Sequence, residues 1–230
     1  VHLKPFNRGT IRSFNEISKL FYFSGLLKTW TLRGTLHLIP ESDLPLYVHQ
    51  QGTAEDVCGT PWYAWMTKCG CALPPEREKA FARLIVREIA SGNDTREGLR
   101  QACQAAGMTA DEEKMVFHGW GGVIGELSLL GVICAQVQEK KAYRLCAPFA
   151  PMDAAEAELT LARRYFTYYG PASLRDAAYF FRVPQTKVKA WLKQLDAREI
   201  SVDGRMYYAT KDAPEGESRA IPHNLLLSVK

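Results

Sequence analysis

No uninterrupted hydrophobic stretch in this sequence approaches the roughly 18 residues that a membrane span requires, and no signal-peptide pattern is visible. A membrane role is therefore not expected, and the cytoplasm is the expected compartment. Cysteine is sparse and unpatterned. The six residues, Cys58, Cys69, Cys71, Cys103, Cys134 and Cys146, include one close pair, Cys69-Gly70-Cys71, but no partner pair at zinc-site spacing. They read as free thiols of a reducing compartment, and neither a metal site nor an organic cofactor is expected. Strong charge of either sign is also lacking: the net charge is +4 over 230 residues. With 47% hydrophobic and 23% charged residues, the composition is that of a globular chain large enough for one large or two to three small domains. It opens on Val1 in a basic, loop-like stretch containing His2, Lys4 and Arg8 and ends on "LLLSVK". A piece of a longer protein is the expectation.

The little positive charge there is has a distribution. Residues 1–40 carry a net +5 and residues 157–205 a net +4, while residues 76–150 are neutral. Two separated basic segments suit a polyanionic partner, although solvated faces would look the same.

Periodicity organises the rest. "ELTLARRYFTYY" (158–169) places apolar residues at helical spacing and stops at Gly170-Pro171. Ser173 and Asp176 form the pattern of a capping box for a helix through "LRDAAYFFR". Thr186 is a candidate cap for a third helix, "KVKAWLKQL". Two β-prone runs then flank Asp203-Gly204, a strong hairpin signal. Three helices and a hairpin describe a winged helix. The same order occurs upstream: helices over 76–91, 95–107 and 110–131, then "VICAQVQ" and "AYRLCA" around a turn. The expected fold class is thus α+β, mainly α, built of tandem winged-helix (helix-turn-helix variant) modules, each three helices plus a β-hairpin wing. The expected divisions are 1–50, the end of a first module; 51–75, a connector; 76–150, a second module; 157–210, a third; and 211–230, the start of a C-terminal segment. In the first, Ser13 caps a helix bearing Ile17, Leu20, Phe21 and Leu26, and Ser42 caps another through "DLPLYVHQQ". Trp62 and Trp65 in the connector read as core or staple residues in preference to base-stacking platforms, and His118 and Trp120 as core packing.

Between those two helices lies "TLRGTLHL" (31–38), read as a strand. Alternation puts Trp30, Leu32, Leu36 and Leu38 on one face and Thr31, Arg33, Thr35 and His37 on the other. Arg33 could hold a phosphate bidentately or pair with Glu16 or Asp43. His37 could bond a phosphate, a water or a catalytic group, or with Thr35 satisfy buried backbone.

Several of these stretches, "TWTLRGTLHLIP" (29–40), "WGGVIGELSLLGVIC" (120–134), "LARRYFTYYGPASLRDAAYFF" (161–181) and "VDGRMYYA" (202–209), resemble the bacterial winged-helix DNA glycosylases, the AlkZ/YcaQ-like proteins. The resemblance covers most of the chain in the same order. It implies a cofactor-independent, monofunctional glycosylase that hydrolyses the N-glycosidic bond of alkylated purines in double-stranded DNA and in some members unhooks interstrand crosslinks; the sequence itself fixes no oligomeric state, and a monomer is the default expectation. A non-catalytic tandem winged-helix DNA-binding protein is the alternative. The family's catalytic motif, Gln-apolar-Gln or Gln-apolar-Asp, precedes the "RGTLH" stretch and so would fall at or before Val1. Gln136-Val137-Gln138 matches its letters but sits in a wing. The resemblance implies that His37 and Thr35 form a supporting wall of the catalytic site. DNA contacts are expected from Arg33, from Thr186, Lys187, Lys189 and Lys193 on the third helix of the last module, from Arg163 and Arg164 on its first, and from Lys4 and Arg8.

Overall fold

The computed structural model describes residues 25–136 and 141–213, and the chain divides into two units between Asp153 and Ala154. Lys4, Arg8, the helix expected from Ser13, the tip of the second hairpin and the C-terminal segment beyond residue 213 lie outside the described residues.

In the first unit, "TLRGTLHL" is not one strand: residues 31–35 form a turn and only Leu36, His37 and Leu38 are extended. Strand β1 (Leu26–Trp30) and strand β2 (Leu36–Pro40) pair antiparallel, with Thr29 opposite His37 and Trp30 opposite Leu36. A single 3-10 turn, Leu32–Gly34, joins them. Gly34 permits it by adopting φ +66, and Thr35 Oγ1 donates to Leu32 O at 2.9 Å. The proposed alternation fails at this reversal. Leu27, Thr29 and Ile39 are the buried residues of the ribbon, so His37, opposite Thr29, shares the inward face.

The helix expected from Ser42 shrinks to a 3-10 turn (Glu41–Asp43) and helix α1 (Leu44–Tyr47), with no side-chain cap. The expected connector is instead structured. Thr53 and Asp56 form a capping box on a 3-10 turn (Ala54–Gly59), and Thr60 accepts from Tyr63 N at 3.1 Å to start helix α2 (Pro61–Lys68). Helix α3 (Pro75–Ala90) and helix α4 (Arg96–Ala105), capped by Thr95, match expectation. The single helix read over 110–131 is two: α5 (Ala110–Val116) and α6 (Gly122–Leu129). The break is at Gly122, whose φ is +66 and where a Cβ would lie 2.3 Å from Met115 O. Strands β3 (Ile133–Ala135) and β4 (Tyr143–Leu145) complete a four-stranded sheet in the order β2-β1-β3-β4.

Helix α6 is apolar all round and buried over Gly122–Ser128, as such helices must be. It packs on β1, β3, α2, α3, α5 and the 54–59 turn. Phe81, Ile85, Leu99, Val123, Ile124 and Leu127 form the surrounding core.

The second unit carries helix α7 (Ala154–Tyr168), helix α8 (Leu174–Phe181), helix α9 (Gln185–Gln194) and an antiparallel hairpin, β5 (Arg198–Val202) and β6 (Arg205–Ala209). The turn is Asp203-Gly204, and the Ser173–Asp176 capping box is formed. Thr186 caps nothing: Pro184 occupies the cap position, and Thr186 lies exposed in the first turn. The core joins Phe166, Val188, Trp191 and Leu192, with the Phe181 and Trp191 rings 5.2 Å apart. Among the described residues no helix is long and apolar enough to cross a membrane.

The two glycines of α6 should respond oppositely. Gly122→Ala forces a left-handed residue against backbone and should destabilise the first unit by about 2 kcal/mol or more. Gly125, where an added Cβ meets nothing within 4 Å, should accept alanine with no loss, and a gain of up to about 1 kcal/mol. Denaturant melts of both variants check this; equal midpoints would contradict it.

Candidate nucleic-acid interface

The hairpin turn holds a polar cluster. Thr31 Oγ1 and His37 Nδ1 lie 2.6 Å apart and share one hydrogen bond, whose direction follows the imidazole tautomer. His37 Nδ1 is also 3.1 Å from Thr35 O, and Thr35 Oγ1 is 3.4 Å from Nε2. Thr35 and His37 therefore do come together as expected, but because the chain reverses and not because one strand face carries them. Thr31 is the partner the strand reading assigned to the same group, and its bond is the shortest. Arg33 lies in the 3-10 turn itself.

On its other face the hairpin opens onto a cleft of about 620 Å³. Trp30, Thr31 and Leu36 form one wall, Trp62 and Trp65 of α2 another, and the loop around Trp120 a third. Contrary to the expectation of core packing, Trp120 is 84% exposed and Trp65 52%. The Trp62 ring centroid is 5.2 Å from those of both Trp65 and His118. His118 Nδ1 accepts from Trp120 N at 3.2 Å. Gly121 lets the loop backbone close on Trp62: a Cβ there would sit 2.9 Å from the indole.

Beneath α2 lies a buried acidic pair. Thr60, the α2 cap, donates from Oγ1 to Glu126 Oε1 at 3.2 Å. Glu126 in α6 is wholly buried and Glu78 of α3 is 5% exposed. Glu126 Oε2 has no donor unless one of the two carboxyls keeps its proton and bonds the other. Burial, with the neighbouring Glu78, pushes the Glu126 carboxyl up to about 9; burial raises Glu78 as well. The pair thus holds a proton at neutral pH and fixes the helix that carries Trp62 and Trp65. Nothing in the periodicity of "WGGVIGELSLLG" distinguishes Glu126 from a surface acid, so sequence reasoning passed over it.

In the second unit, Thr186, Lys189 and Lys193 recur at helical spacing on α9 and are exposed. Lys187 is not part of that row: its Nζ is 2.7 Å from Glu158 Oε1 and 5.7 Å from the Trp191 ring centroid. Asp196 and Glu199 share a groove with Lys189 and Lys193, which tempers the local positive potential. Arg163 and Arg164 are exposed on α7. The letter matches to the catalytic motif serve other ends. Gln136 Nε2 donates to Asp94 Oδ2 at 2.7 Å and to Tyr143 O at 2.9 Å. A second match, Gln194-Leu195-Asp196, which the sequence reading overlooked, closes α9: Leu195 is buried and Asp196 is ion-paired with Lys211. The six cysteines are free thiols, and no three metal-ligating side chains converge among the described residues.

The model of the family described as "DNA glycosylase AlkZ-like" matches residues 16–228. An interstrand DNA cross-link repair glycosylase of Streptomyces sahachiroi is 23% identical over 214 residues, covering 86% of this chain and 55% of that protein. The solved structure of Streptomyces sahachiroi DNA glycosylase AlkZ superposes with a TM-score of 0.60 at 22% identity, over 89% of this chain and 57% of that one; this likeness shows the shared fold. The chain spans little more than half the length of the relative it matches.

The acidic pair generates a pH dependence. With Glu126 protonated in the folded protein and ionised in the unfolded chain, folding takes up a proton between the ordinary glutamate value of 4.5 and about 9. The pair's own contribution to stability should therefore be fullest below 4.5, fall with a slope of up to about 1.4 kcal/mol per pH unit per proton as pH rises, and level off above about 9. Glu126→Gln keeps the shape without the titration. Its melting temperature should exceed the wild-type value at pH 9 and vary less between pH 5 and 9. An unchanged slope would show that the pair does not hold the proton.

Proposed function

Because the chain belongs to the AlkZ-like DNA glycosylase family, we propose that it is part of a DNA repair glycosylase that hydrolyses the N-glycosidic bond of alkylated purines, and that interstrand crosslinks are among its substrates. The observation that carries this reading is the hairpin of residues 26–40, where Thr31, Thr35 and His37 cluster beside an aromatic cleft. An alkylated purine with a positive charge is a good leaving group. Its departure needs an oriented water and a preorganised polar wall more than a strong acid. We assign that wall to His37 and Thr35, with Arg33 on the adjacent phosphate, and read both units as winged-helix modules working as a cytoplasmic monomer without metal or cofactor.

In the second unit, α9 takes the place of a recognition helix, and lysines on its exposed face suit phosphate contact better than base readout. Lys189 and Lys193, with Thr186, are the proposed contacts; Arg163 and Arg164 are a second set. Lys187 contributes less, since it already has a carboxylate partner.

A second reading, a DNA-binding protein without catalysis, is favoured by one observation. Gln136, the one described residue of the first letter match, and Asp196 of the second are occupied in wing and helix-end contacts.

Release of a methylated purine from duplex DNA by the protein as encoded separates the two. The enzyme reading expects release, slowed about tenfold or more by His37→Ala. Binding without release supports the second reading, and full activity in His37→Ala removes that residue from the site. Reversing Lys189 and Lys193 to glutamate should weaken binding to all sequences alike. It should also lower the salt slope by about one for each lysine that touches phosphate, measured by titration at several ionic strengths.

A further inference from the structure

The Cys69-Gly70-Cys71 run, which has no partner pair at zinc-site spacing, takes on a different meaning in the fold. Helix α2 ends at Lys68 in a Schellman cap. The Gly70 N–H donates to Thr67 O at 3.1 Å and the Cys71 N–H to Met66 O at 3.0 Å. Such a cap needs a left-handed residue, and Gly70 supplies it at φ +67. A left-handed helical residue mirrors a right-handed one, so it sets the Cα atoms of its two neighbours about 5.4 Å apart. Disulfides form at Cα separations of about 4.4–6.8 Å. The Cys71 thiol is also turned back toward its neighbour: its Sγ donates to Cys69 O at 3.4 Å. The hydrogen bonds that end the helix therefore hold two thiols side by side.

The other four cysteines have different surroundings. Cys103, Cys134 and Cys146 are buried, and Cys58 is half-buried with its thiol directed at Pro75 O. Burial pushes the Cys103 thiol up to about 12, away from the thiolate form that reacts. Cys69 and Cys71 are the two exposed cysteines. Among the described residues no three metal-ligating side chains converge, so no closed metal site is built around the pair.

We propose that Cys69 and Cys71 form a site of reversible thiol oxidation, whose co-substrate is a small-molecule disulfide of the glutathione class. The thiolate of one cysteine attacks a sulfur of the small disulfide. A mixed disulfide forms and one small thiolate leaves. The thiolate of the other cysteine then attacks the protein sulfur of the mixed disulfide. The Cys69–Cys71 bond forms and the second small thiolate leaves. Two electrons pass from the protein to the small disulfide, and the two protons lost by the cysteines end on the two released thiols. With the resolving thiol one residue away, the second step is intramolecular and needs no further encounter. A ring closed across one intervening residue is strained and exposed, so its bond is readily reduced again. The pair is a dithiol in a reducing medium and closes when small disulfides accumulate. The site stands apart from the polar cluster at the hairpin turn and does not depend on the DNA-directed reading.

The folded, fully reduced chain is incubated with oxidised glutathione and followed by mass spectrometry with peptide mapping. The wild-type chain should lose two hydrogens, with the new bond mapped between Cys69 and Cys71 and no glutathione retained. Dithiothreitol should restore the starting mass. Cys69→Ser and Cys71→Ser, both at exposed positions that do not threaten the fold, should each stop at the mixed disulfide and carry one glutathione. The double serine variant should not react over the same period. A lasting glutathione adduct on the wild-type chain in place of the internal bond overturns the proposal. So does an unreactive wild-type chain, or a double variant that loses thiols as fast as the wild type.

Discussion

The first unit depends on the complete burial of one short helix. α6 presents no polar stripe, so every side of it must be covered, and the elements that cover it are those that define the unit: the sheet strands β1 and β3, helices α2, α3 and α5, and the 54–59 turn. The one acid in this helix has no route to solvent. An isolated buried carboxylate is too costly to keep, and a second acid beside it makes ionisation harder still. The proton shared with Glu78 resolves the problem, and the Thr60 hydroxyl links the solution to the start of α2.

From that constraint the cleft follows. Gly122 can begin α6 only by a left-handed turn against α5, and this turn throws Gly119, Trp120 and Gly121 outward. The cap on α2 sets the angle at which Trp62 and Trp65 emerge. β1, held against α6, ends at Trp30 and reverses through Gly34. Three independent pieces of backbone thus deliver indole rings to one place, though they are far apart in sequence.

Much of the fold is legible in the residues. Helix caps at Thr95 and Ser173, the Asp203-Gly204 turn and the apolar spacing of α3, α7 and α9 are local signals, and local signals survive into the structure. What is not legible depends on partners distant in sequence. "TLRGTLHL" alternates well enough to read as a strand, and only its pairing with residues 26–30 shows that Gly34 is a turn residue. "ADEEKMVFHGWGGVIGELSLLG" has helical spacing throughout, and the break comes from the close approach of Gly122 to the α5 backbone. Tryptophan is usually a core residue, but Trp65 lies half-exposed on α2 and Trp120 is carried outward by the loop before α6. Thr186 resembles a cap, but Pro184 already starts the helix. The hairpin, and not period-two alternation along one strand, brings Thr31 to His37.

In the proposed function the 26–40 hairpin, beside the tryptophan cleft, faces DNA. Amide hydrogen exchange with and without an excess of duplex DNA tests it most directly, because each segment is read separately. Protection is expected in the turn at residues 31–35, in the loop at 118–121 and at the start of α2, together with the exposed face of α9. Protection confined to α9, with the hairpin and the loop unchanged, would contradict it.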